Sequence, residues 1–131
     1  MLTKALFVNI YVEDQDRALA FYTEKLGFEK LADMPMGDEM GEGAGGRWIA
    51  VGMPGAETHF VLYTPPGMES RIGGFSNVVF DSDDIVATAE DLKARGVEFT
   101  QDPQQMPWGW WAQFKDSEGN EYGLAQSPPR G

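Results

Sequence analysis

The chain is predicted to fold as an α+β domain, two βαβββ modules forming a curved mixed sheet, and three observations carry that prediction. Residues 5–30 and 75–100 share one plan: alternating apolar residues, an acidic cluster, then a helical stretch that stops at a glycine. The two copies are offset by about 70 residues in a chain of 131. After each helix come three further segments with strand patterning. A single domain over residues 1–131 follows, with module 1 at roughly 1–66 and module 2 at roughly 74–126.

Leu6–Val12 alternates as a strand with apolar even positions. Asp14 is placed to cap a helix that runs to Leu26, with Ala18, Leu19, Phe21, Tyr22 and Leu26 on its apolar side and Gly27 as its stop. Strands are expected at Phe28–Met34, Arg47–Val51 and Thr58–Tyr63. Pro65 to Gly74 reads as the linker between modules. The second copy gives a strand at Phe75–Asp81 and a helix at Asp83–Arg95 burying Ile85, Ala89 and Leu92. Strands follow at Val97–Gln101, Trp108–Lys115 and Glu121–Gln126, the last two joined by a turn at Asp116–Asn120. Ser127–Gly131 reads as a frayed tail.

Strand side chains alternate between faces. If the even positions of the first strand meet the helix, Phe7, Asn9 and Tyr11 face away from it. The same reasoning turns Asn77, Val79 and Asp81, then His59, Val61 and Tyr63, then Glu121, Gly123 and Ala125 away from the helices. With Phe114 inside, Trp111 and Gln113 join them. These positions are expected to form one concave wall.

Composition narrows the function. Acidic residues number 21 against 10 basic ones, a net charge of −11. That disfavours nucleic acid, which needs a basic surface, and favours the approach of cations, although it also serves solubility alone. Cysteine is absent, which removes disulfides, thiolate catalysis and Cys-type zinc sites. No apolar run approaches the ~20 residues of a membrane span, and the first residues lack a signal-peptide pattern. A cytoplasmic protein without membrane or nucleic-acid partners is the expectation.

The segments Ala20–Phe28, Leu92–Phe99 and Phe114–Asn120, in this doubled βαβββ frame, resemble the vicinal oxygen chelate superfamily of glyoxalases, bleomycin-resistance proteins and extradiol dioxygenases. The resemblance spans both modules. It implies a glyoxalase/bleomycin resistance-like fold and a homodimer with ligand cavities near the subunit interface. It does not imply one reaction, because the scaffold hosts many chemistries. Enzymes of the superfamily hold a divalent metal through His, Gln or Glu on the first and last strands of each module. Carried onto this chain, those places fall on Phe7, Val61, Asn77 and Gly123, of which only Asn77 has a side chain able to ligate, and a lone neutral amide is a poor anchor. A displaced set, His59 and Glu121 with Asn77 or Asp81, is the alternative. The expectation is no metal and no cofactor.

Gly41–Gly46 matches G-x-G-x-x-G, but a strand pattern follows it where a dinucleotide site requires a helix. Gly37–Gly46 is read instead as a flexible connector. Trp108, Trp110 and Trp111 crowd one strand start, and alternation must put at least one indole on the open face, where it offers a stacking surface. The alternative role for these rings is a dimer contact or closure of the barrel end. No Ser or Cys nucleophile arrangement can be assembled.

The functional expectation is a small-molecule-binding protein of the glyoxalase/bleomycin-resistance type, without metal. It sequesters a flat ligand, with positive charge permitted, as antibiotic-resistance proteins of this group do. Its expected contacts are Phe7, Asn9, Tyr11, Trp48, His59, Val61, Tyr63, Asn77, Asp81, Trp108, Trp110, Trp111, Gln113 and Glu121. The alternative is a glyoxalase-like lyase, isomerase or dioxygenase with a noncanonical metal site, for which His59 and Glu121 are the candidate catalytic groups. A third reading is a catalytically silent association domain.

Overall fold

The computed structural model describes residues 1–35 and 46–126. Module 1 contains β1 (Phe7–Ile10), α1 (Gln15–Ala20), a π-helical turn (Phe21–Lys25), β2 (Glu29–Pro35), β3 (Arg47–Gly52) and β4 (His59–Leu62). A short 3-10 turn (Glu69–Arg71) leads into module 2: β5 (Gly74–Asp81), α2 (Ile85–Ala94), β6 (Phe99–Met106), β7 (Gly109–Lys115) and β8 (Asn120–Gln126). Most of the connector from Gly37 to Gly46, with its glycine motif, and the tail from Ser127 lie outside the described residues.

Each module closes into its own four-stranded mixed sheet, ordered β1-β4-β3-β2 and β5-β8-β7-β6. The identical order and the parallel first pairing (Asn9 opposite Val61, Val79 opposite Gly123) make the duplication explicit. The hydrogen-bonded ladders thus form two sheets, one per module.

The helices begin where the acidic clusters place them. Asp14 and Asp84 accept from the backbone N–H of Arg17 and Ala87 at 3.0 and 3.1 Å, satisfying donors that a helix start leaves unpaired. Ile85, Ala89 and Leu92 are buried as the spacing predicts. The first helix differs from expectation in its second half. Leu26 N–H reaches back to Phe21 O at 3.2 Å and Phe28 N–H to Tyr22 O at 2.9 Å, so the backbone widens into a π turn before Gly27, at φ 77°, ends it. Strand β6 runs five residues past its predicted end at Gln101, through Pro103 to Met106. It can do so because it is an edge strand, where a missing N–H costs no ladder bond.

One core serves both modules. Phe60 on β4 and Phe28 before β2 meet Phe80 on β5, with ring centroids 5.7 and 6.0 Å apart, and Phe80 in turn packs on Phe114 and Tyr122. The helix-bearing faces of both sheets therefore look into the same interior. Tyr22 of the π turn donates to Asp116 Oδ2 at 2.6 Å and contacts the Tyr122 hydroxyl, both across the module boundary. The Asp116–Asn120 turn is buried. Glu118 accepts from the backbone N–H of Glu13 and Asp14, each at 2.9 Å, and from Arg17, while Asn120 donates to Tyr11 O. The turn of module 2 thus clamps the start of α1 in module 1.

Candidate functional site

Because the helix-bearing faces share the core, the opposite faces of both sheets turn away from it. The positions expected to form one concave wall are divided between two hydrogen-bonded sheets, with Asn9 of β1 and Phe75 of β5 bordering one cavity where the modules meet.

On the open face of module 1, Val61, Ala50 and Tyr63 form a small buried cluster with Ala32 and Trp48 packed against it. The Phe7 ring stands edge-on to Trp48, with centroids 5.4 Å apart. Asn9 is spent on structure, since its Nδ2 donates to Tyr63 O at 2.8 Å. Tyr63 OH is buried and has no hydrogen-bond partner among the described residues. His59 lies at the end of this face against Gly52 and Leu31; a Cβ on Gly52 would sit 3.2 Å from the imidazole Cδ2.

On the open face of module 2, Trp111 is the centre. The far end of its indole is seated against Gly123, and a Cβ there would fall 2.3 Å from Cη2, well inside any tolerable contact. Gly123 is therefore required by the ring above it. Trp111 Nε1 donates to Gln113 Oε1 at 3.2 Å, and Trp108 meets Trp111 edge-on at 5.7 Å. Trp108 is 58% exposed, which leaves an aromatic corner open to solvent.

Trp48 and Trp111 are equivalents. Trp48 precedes Ala50, which pairs with Val61; Trp111 precedes Gln113, which pairs with Gly123. The duplication has thus placed one indole at the same point of each open face, a correspondence that only the register exposes.

Several expectations need correction. Trp110 does not share the open face with Trp111: it pairs with Gln105 and Gln126 and packs, partly buried, against the main core, because consecutive strand residues take opposite faces. Tyr11 lies beyond the end of β1, and its carbonyl accepts from Asn120. Asn77 escapes the simple alternation. The β5–β8 register jumps between Phe75 and Val79, and Asn77 sits in that bulge at φ 66°. It lines a cavity of about 140 Å³ with Asn9, Tyr11 and Arg71. Asp81, exposed at the end of β5, borders a different cavity with Met53, Thr88 and Leu92.

The metal of the superfamily's enzymes is not accommodated by these residues. Phe7, Val61 and Gly123 offer no donor, and the space beside Gly123 is filled by the Trp111 indole. The displaced set is not assembled within one chain. His59 belongs to one sheet and Glu121 to the other, where Glu121 pairs with Lys115, and no three His, Asp or Glu side chains converge among the described residues.

A cavity of about 630 Å³ opens elsewhere, at the start of α1, bordered by Glu13, Gln15, Tyr63, Thr64, Glu69 and Glu118. Its lining mixes polar and apolar groups, Val12 and Ile72 among the latter, and lies mostly outside the open faces. Trp111 and Gln113 border none of these three cavities.

Comparison with known proteins fits this architecture. A sequence model described as the Glyoxalase/Bleomycin resistance protein/Dioxygenase superfamily matches residues 4–124. The uncharacterized protein YetH of Bacillus subtilis is 43% identical over 91% of this chain and 94% of its own. Among solved structures, TnmS3, described as an antibiotic binding protein from Streptomyces sp. CB03234, is 35% identical, with a TM-score of 0.80 over 97% of this chain and 98% of that one. A superfamily member from Sphaerobacter thermophilus is 33% identical, with a TM-score of 0.84 over 96% and 98%.

Proposed function

The chain belongs to the Glyoxalase/Bleomycin resistance protein/Dioxygenase superfamily, and from that premise we propose that it binds and sequesters a flat small molecule, stacked on Trp111, without a metal ion. The observation that carries this reading is the seat of Trp111 on Gly123: the place a metal ligand takes in the superfamily's enzymes is given over to an indole with one edge held by Gln113. A fixed ring loses little freedom when a ligand stacks on it, and such preorganisation favours binding. TnmS3, similar along almost its whole length, is described as binding an antibiotic.

The same reading takes the working unit to be a homodimer. Each open face is shallow on its own and carries exposed apolar groups, Phe7 and Met34 on one and Val79 and Trp108 on the other. Two chains that set the module 1 face of one against the module 2 face of the other build two equivalent clefts, each with a Trp48 and a Trp111 as walls. Catalysis by His59 with Glu121 finds no support in one chain, where they stand on separate sheets.

Sedimentation velocity should give a dimer at micromolar concentration. Screening planar aromatic ligands by tryptophan quenching should find binders, and Trp111→Ala should weaken them by about 1–3 kcal/mol. A stoichiometric metal in protein purified without chelator, or affinities indifferent to Trp111→Ala, would overturn the proposal.

A further inference from the structure

Resting on that reading, we infer that the ligand presents a neutral, oxygen-bearing edge to Gln113 and is not selected for positive charge. The indole N–H is a donor only, so the Gln113 amide must turn its Oε1 toward Trp111. Its Nε2 group is then the end left to face a ligand lying on the ring, and an amide N–H₂ recognises an acceptor such as a carbonyl or hydroxyl oxygen.

The strand register shows what else surrounds the indole. Across β6, Gln104 is opposite Trp111 and Gln101 opposite Gln113; across β8, Ala125 and Gly123 take those places. The registered neighbours of the ring are amides, a methyl and bare backbone; the one carboxylate between them on β6, Asp102, sits in the register shift and is paired with Lys93 of α2, on the helix side of the sheet. The acids of this face stand further off. Asp81 is aligned with Ala125, which puts it two strands from Trp111, about 10 Å at the usual strand spacing and beyond the ~8 Å screening length of physiological salt. Glu121 is opposite Lys115. The chain's large negative charge is therefore not concentrated where the ligand lies. Discrimination comes from amide hydrogen bonding, which penalises a ligand edge that leaves a desolvated donor without an acceptor.

Two flat tricycles of matching size separate the possibilities: acridone, neutral with one carbonyl, and 9-aminoacridine, a cation at pH 7. Fluorescence anisotropy of each probe with the intact protein should give acridone at least tenfold tighter binding. Gln113→Glu keeps an acceptor for the Trp111 N–H, removes the amide donor and adds charge, so it should lower the acridone-to-aminoacridine affinity ratio by at least tenfold. If the wild-type protein prefers 9-aminoacridine, or if Gln113→Glu leaves the ratio unchanged, this inference fails while the binding function stands. If neither probe binds at millimolar concentration, the binding function itself fails. Should Gln113→Glu not fold, the wild-type ratio decides alone.

Discussion

Gly123 shows how one residue without a side chain can set the character of a site. Its missing Cβ admits the Trp111 ring, and the ring in turn holds Gln113. Gly123→Ala would drive a methyl into the indole, and the ring must leave its seat or the sheet must bend. The expected cost is about 1–3 kcal/mol, as for other overpacked interiors. It should appear as a lower urea midpoint together with a changed near-UV circular dichroism signal. An unchanged near-UV signal at full stability would mean that the ring is not held as described. The sequence shows a glycine at this position but not the reason for it, because Trp111 lies 12 residues away and meets it only through the β7–β8 pairing.

Elements were legible where the signal is local and obscure where it is not. The cap at Asp14, the stop at Gly27 and the buried side of α2 follow from residues within a turn of one another, whereas α2 itself begins at Ile85, two residues after the expected start at Asp83, with Asp84 as its cap. The bulge in β5 does not, since it arises from the fit of β5 against β8. It holds Asn77 in the left-handed region, which asparagine tolerates and β-branched residues resist. Asn77→Val should therefore destabilise the chain by about 1–2 kcal/mol, whereas Asn77→Gly should be close to neutral. Thermal melts of the two variants test this, and equal losses would argue against a backbone origin. Alternation counted from the strand start places Asn77 on the open face with Val79, but the bulge interrupts the count between them.

Across the whole molecule, the two modules are joined by a buried polar seam as well as by aromatic packing. Burial alone would raise the Glu118 carboxyl, yet hydrogen bonds from Arg17, the Asp14 and Glu13 backbone and Ser117 outweigh it and hold the group at about 2, against an ordinary value of 4.5. A carboxyl lowered on folding stabilises the native state fully above its unfolded value and loses that contribution as pH falls through the folded one. Acid should accordingly loosen the module seam as pH falls from 4.5 towards 2. Urea midpoints at pH 7 and pH 3 should differ strongly for the wild type and much less for Glu118→Gln; parallel losses in both would show that the seam does not depend on this charge. Burial raises the Tyr22 and Tyr122 hydroxyls, so both stay protonated throughout this range.

The amino-acid sequence alone determined the doubled βαβββ plan, the start of α1 and the absence of ligating side chains at Phe7, Val61 and Gly123, because periodicity, caps and residue chemistry are written in neighbouring positions. The tertiary structure decided which faces meet. Alternation says that a strand has two sides but not which sides of two separate sheets share an interior. That choice rests on contacts such as Phe60 with Phe80 and Glu118 with Arg17, made by residues 20 and 101 positions apart. The outward turn of both open faces, the packing of Trp110 against the core and the seat of Trp111 on Gly123 all follow from it.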